Sequence, residues 1–138
     1  MPTSAEPWQP ILDTLARLRT DWPARDWTWD HRFKCVTSSI ATEAGAAAKA
    51  VLATVVPAEW TDATFATAPD EVRALSERCG EVRPGQALLT ANPVAGMLLF
   101  AMWWPWGDGS KVSIRLGIAN SDHPKDLYPL VRSLFGIA

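Results

Sequence analysis

The sequence is poor in the side chains that carry most chemistry near neutral pH: its 138 residues include two histidines, two cysteines and one tyrosine. Only His31 and His123 offer a base to a Ser, Thr or Cys nucleophile. His31 stands four residues before Cys35, so one strand face would bring the pair within reach; the competing reading is a core or boundary histidine with its ring hydrogen-bonded. His123, between Asp122 and Pro124, reads as part of a helix start. A metal would have to gather His31, Cys35, Cys79 and His123 from three separate elements, whereas zinc ligands come in close pairs. Asp26 and Asp30 flank tryptophans where a solvated strand edge would put charges, not where paired carboxylates would work on a sugar. No catalytic residue, metal or cofactor is expected.

Other absences narrow the setting. There is no Cys-x-x-Cys, which fits two packed thiols in a reducing compartment, with a single Cys35–Cys79 disulfide as the alternative. The opening "MPTSAEPWQP" has neither the basic nor the apolar region of a secretory signal. The longest apolar run, "PVAGMLLFAMWWPWG" from Pro93, falls short of the ~20 residues that cross a bilayer. No window collects Lys and Arg, and the formal charge is -2, so nucleic acid is not an expected partner. A soluble, cytoplasmic protein is expected. Nine Arg against four Lys and abundant alanine suggest a GC-rich bacterial genome.

At 48% hydrophobic and 20% charged, a chain of this length can bury one sizeable core, so a single domain is expected, with residues 1–6 a flexible tail. Trp8, Ile11, Leu12, Leu15, Leu18 and Trp22 recur at three- and four-residue steps and predict an amphipathic helix over 7–21, with Pro7 in its first turn and Pro23 at its end. Trp27, Trp29, His31, Phe33 and Cys35 alternate with polar residues, predicting one strand with a buried face. Over 42–56 a helix is favoured, capped by Thr42, stopped by Pro57 and turning Ala44, Ala47, Ala48, Val51, Leu52, Val55 and Val56 inward; a strand over 49–56 is the alternative.

Residues 57–68 read as a link. Asp70 opens a short helix ending at Gly80, with Val72 and Leu75 inward, and Arg83 to Gly85 make a turn. Gln86 to Ala91 reads as a strand that Pro93 limits or places on an edge. Leu127, Leu130, Val131, Leu134 and Phe135 form a last helical stripe, with Ser121 or Asp122 as cap and Pro124 in its first turn; Pro129 demands a kink or a later start. The order predicts an α+β domain: N-terminal, central and C-terminal helices on a small antiparallel sheet of about four strands, including a hairpin of 96–106 with 111–119.

That hairpin carries what the sequence has in excess. Three of its eight tryptophans fall within four positions, "WWPW", just before Gly-Asp-Gly-Ser. Asp108-Gly109 predicts a type I′ turn. "GDGSK" lacks the spacing of a phosphate loop and leads into a strand, not a helix. The turn sets a register in which Trp106 meets Lys111, Trp104 meets Ser113, Met102 meets Arg115 and Phe100 meets Gly117; on the other face Pro105 meets Val112, Trp103 meets Ile114, Ala101 meets Leu116 and Leu99 meets Ile118. Trp103 is thereby sent to the core with Trp8, Trp22, Trp27 and Trp29.

Trp104, Trp106 and Trp60 are left over. A helix could cover them, with Lys111 and Arg115 laying their stems along the indoles, or the face could stay open, with the aromatic and basic composition of binding hot spots. The expected function is a non-catalytic module of a bacterial cell, an adaptor, secretion chaperone or toxin-neutralising protein, binding another protein through Trp104, Trp106, Lys111, Arg115, Met102 and Trp60. The alternative is a small-molecule binder or small enzyme with a Trp-lined pocket and Arg115 as anion anchor. A homodimer is conceivable if Gln86 to Ala91 or Trp27 to Cys35 forms an exposed edge.

Overall fold

A computed structural model describes residues 8–79, 81–120 and 124–137. The apolar stripe from Ile11 to Leu18 forms helix α1 (Gln9–Asp21), with Pro10 in its first turn and Trp22, extended, ahead of Pro23. Strands β1 (Thr28–Asp30) and β2 (Cys35–Ala41) follow. A single 3₁₀ turn at 42–44 leads into α2 (Gly45–Val55), which ends before Pro57. Then come β3 (Ala58–Trp60), α3 (Asp70–Arg78), β4 (Ala87–Thr90), β5 (Leu98–Pro105), β6 (Lys111–Ala119) and α4 (Pro124–Leu134). The fold is α+β, with one antiparallel sheet in the order β1-β2-β6-β5-β4-β3.

Six strands stand where about four were expected, because two three-residue edge strands join the sheet. One is β3, in the segment read as a link; the other is β1. The alternation from Trp27 to Cys35 is not one strand but a hairpin, Asp30 pairing with Cys35 across a turn at 31–34. The cause is Asp30: its Oδ1 accepts the amides of Arg32 and Phe33, each at 2.9 Å, and this side-chain turn bends the chain. Trp27 and Trp29 therefore join one side of the sheet, while Phe33 and Cys35 join the other, and His31 is an exposed turn residue. The strand Gln86 to Ala91 is not an edge, since β4 lies between β5 and β3, whereas β1 is one.

The hairpin of β5 and β6 has seven of the eight expected pairs in its strands, and the eighth, Trp106 with Lys111, is joined by a backbone hydrogen bond just beyond them. Its turn differs in type: of Asp108 and Gly109, only Gly109 has positive φ. Asp108 Oδ1 accepts both the amide and the hydroxyl of Ser110, while Trp106 N donates to Lys111 O, so four residues span the strands. Thr42 does not cap α2; its hydroxyl donates to Gly109 O at 2.6 Å and ties the turn to the end of β2. Pro129 sits inside α4, which starts at Pro124, and Leu130 is 44% exposed instead of joining the stripe. The roles expected for residues 1–6, Pro7, Gly80, Ser121, Asp122 and His123 lie outside the described residues.

Helices α1, α2 and α4 cover one face of the sheet, closing a core of Val36, Ile40, Leu99, Trp103, Ile114 and Leu116 with Leu15, Leu18, Leu52 and Leu127. Trp22, Trp27 and Phe135 stack within it, ring centroids 5.3 and 4.7 Å apart, and Trp22 Nε1 donates to the buried Ser38 hydroxyl. The opposite face has less cover. Val72 and Leu75 of α3, with Cys79 just past its end and Ala68 before it, pack on Leu88, Leu98, Phe100 and Met102. Phe65, in a short 3₁₀ turn at 65–67, packs against the same cluster.

Candidate functional site

Strand register places the candidate residues. One row of side chains crosses the sheet on the α3 face: Trp60, Leu88, Met102, Arg115, Thr37 and Thr28, one from each strand. The next row holds Trp104, Ser113 and Ser39. Helix α3 sits over the β4 and β5 part of the first row, so Met102 is 2% exposed and has no free surface to offer. Trp60 is half-buried on β3, its Nε1 donating to Thr90 Oγ1 at 3.0 Å; Leu88 and Met102 separate it from Arg115. Of the six expected residues, four come together: Trp104, Trp106, Lys111 and Arg115.

These four form two cation–indole pairs. The Arg115 guanidinium lies 4.4 Å from the Trp104 ring centre and 5.5 Å from that of Phe33, and Phe33 meets Trp104 edge-on at 6.1 Å. Arg115 Nε also pairs with Asp30 Oδ2 at 3.0 Å. Trp106 is 42% exposed, with Lys111 Nζ 5.3 Å from its ring centre, and its Nε1 donates to Ser113 Oγ at 2.8 Å. Ser113 Oγ lies 3.3 Å from Ser39 Oγ. The surface is thus two indoles, each with a cation on its face, beside a strip of hydroxyls. Phe33 and Asp30 hold Arg115 in place, and sequence reasoning missed both roles; the one available signal was Asp30 two and three residues ahead of amides that it can cap.

The same packing shifts the nearby titratable groups. Partial burial pushes the Asp30 carboxyl up, but the Phe33 amide, Arg115 and the Arg32 amide together outweigh it and hold the group below its ordinary 3.8. A carboxyl lowered on folding contributes stability that is present above its unfolded value and lost as pH falls through the folded one. Asp30→Asn is therefore expected to flatten the acid limb of stability between pH ~5 and ~2, where wild type loses stability faster. Urea midpoints across that range measure it; parallel limbs would show that Asp30 contributes nothing. Cys35 is fully buried, and burial pushes its thiol up to about 12. Burial raises the Cys79 thiol as well, and neither cysteine is in a disulfide. The conceivable Cys35–His31 pair is ruled out, since the thiol is buried and protonated while His31 is an exposed turn residue.

Beside the cation–indole pairs, Arg115, Trp104, Phe33, Arg32, Arg83 and Glu81 line an open cleft of about 280 Å³. Arg115 is a poor anchor for an anion there, because Asp30 already takes up its charge. Among the described residues no group of three or more His, Cys, Asp or Glu is placed to hold a metal ion, and no helix is long and apolar enough to cross a membrane. No protein-family model, curated protein or solved structure matches this chain.

Proposed function

We propose that the chain is a non-catalytic docking module, an adaptor, secretion chaperone or toxin-neutralising protein of the bacterial cytoplasm, which holds another protein against the Trp104–Trp106 face. One observation carries the reading: along β5 the cover on the α3 side thins from Met102, 2% exposed, through Trp104, half-buried at the edge of the α3 cluster, to Trp106 just beyond the strand, 42% exposed. Large aromatic rings and Arg are the residues on which interface energy concentrates. Here the rings are also pre-organised. Trp106 is held by Ser113, and Lys111 and Arg115 already rest on indoles, so a partner would freeze fewer rotamers on binding. The chemistry suits a partner segment with an apolar side chain to lie between the indoles and a carboxylate to reach Lys111.

The test is capture from a native lysate by wild type and by Trp106→Ala, identification of the retained protein, and titration with that protein purified. A hot-spot tryptophan is worth ~2 kcal/mol or more, so Trp106→Ala should weaken the dissociation constant about thirtyfold with an unchanged urea midpoint. The reading fails if wild type and Trp106→Ala retain the same proteins in the same amounts, or if the purified protein binds both equally.

A further inference from the structure

A second recess opens on the other side of Phe33 and Cys79 from the Trp104 cleft, with a volume of about 230 Å³. Its floor is apolar: Leu75 from α3, Phe100 from β5 and Ala119 from β6, all buried. Its rim is cationic, with Arg32 and Lys34 from the β1–β2 turn and Arg78 from the last turn of α3. Asn120 and Tyr128 complete the lining with an amide and a phenol.

Three features set this recess apart from ordinary surface charge. The chain carries two more acidic than basic side chains, yet no carboxylate is among the described residues that line the recess. Lys49, Arg73 and Arg115 are ion-paired, with Glu59, Asp70 and Asp30; among the described residues no such pair is formed by Arg32, Lys34 or Arg78. Three like charges around one apolar hollow repel each other, and a low-dielectric floor strengthens both that repulsion and the attraction for an anion that relieves it. Lys34 also takes a left-handed backbone conformation, φ +55°, which is uncommon for a lysine and costs energy in a turn.

We propose that this recess binds a small organic anion: a carboxylate or phosphate head held by Arg32, Lys34 and Arg78, on a short apolar body lying against Phe33, Leu75 and Phe100. Arginine and lysine together suit an oxyanion, by forked hydrogen bonds and as a point charge. The volume lies just under the usual range for ligand pockets, which limits the body to about one aromatic ring. This site shares Phe33 with the docking face but none of its cations or indoles, so each can fail without the other.

The experiment titrates the protein with phenyl phosphate, benzoate and inorganic phosphate, following backbone amide NMR shifts. Saturable shifts centred on Lys34, Arg78 and Asn120 are expected with at least one of the two organic anions, and which one binds tighter identifies the head group. Inorganic phosphate should bind roughly tenfold more weakly, since it leaves the apolar floor wet. In Lys34→Gln/Arg78→Gln, both exposed positions, affinity should fall by about tenfold or more with an unchanged urea midpoint. Trp106→Ala should leave binding untouched. The proposal is overturned if neither organic anion gives saturable shifts at these amides, if the double variant binds as wild type does, or if inorganic phosphate binds as tightly as phenyl phosphate.

Discussion

Trp103→Ala should lower the free energy of unfolding by ~3–5 kcal/mol, while Trp106→Ala, three residues further along the same arm of the hairpin, should change it by less than ~1 kcal/mol. The three tryptophans of "WWPW" look alike in sequence and are separated by the pleat. Trp103 points to the three-helix side, 9% exposed, between Ala87 on β4 and Ile114 on β6. Helix α2 lies directly upon it: a carbon added at Gly45 would come within 3.7 Å of the indole, and Lys49, paired with Glu59, crosses the ring at 4.9 Å. Removing the indole leaves a cavity that a helix seated at both ends cannot collapse into. Trp106 has water on one side and gives up little more than its bond to Ser113. Trp104 should fall between the two, since its loss strips a face from Arg115 and an edge from Phe33. Urea unfolding of the three variants measures the order; similar losses at 103 and 106 would contradict the division into two faces.

What made that division legible was a single short-range constraint. Asp108-Gly109 fixed where the chain turns, and once the turn is placed, the two-residue period assigns every side chain of both strands to a face. The turn's type was wrong and the register right, because Asp108 closes the loop through Ser110 without needing positive φ itself. At Asp30 the same device misled. Its side chain bends the backbone within an unbroken alternation of large and polar residues, so the period ran on through a hairpin turn, and Phe33 and Cys35 were assigned to the wrong side. A three-residue strand such as β3 has no period to read; it is held by its pairing with β4 and by the Trp60–Thr90 bond, both tertiary. Where α3 rests is likewise tertiary: its stripe shows that Val72 and Leu75 face inward, not which part of a six-stranded sheet they cover. Met102 and Trp60 were therefore grouped with the open face, and the cationic recess, drawn from several elements, left no linear trace.

Gly117→Val should leave little folded protein, and Gly117→Ala should cost ~1–3 kcal/mol. Gly117 sits within β6, two residues from its end, where glycine is ordinarily a weakness and almost any other residue would be favoured. Its role is space. A carbon added there would stand 2.8 Å from Cys35 Cβ and 2.8 Å from Phe100 Cζ, closer than carbons approach. Phe100, its partner on β5, can swing its ring aside, but Cys35 Cβ is fixed to the β2 backbone, so relief requires parting β2 from β6 at the centre of the sheet. Valine adds two more carbons to the same gap, against a total stability of ~5–15 kcal/mol. The mechanism has its own test. If the clash with the ring carries part of the cost, Phe100→Leu should be less harmful in the Gly117→Ala background than in wild type, with a coupling of ~1 kcal/mol. Additive losses would place the whole cost on Cys35 and the strand pair, and a Gly117→Ala variant as stable as wild type would refute the packing argument. Phe100 also lies beneath Leu75 of α3 and floors the anion recess, so the side chain missing at 117 sets the level of the whole second layer.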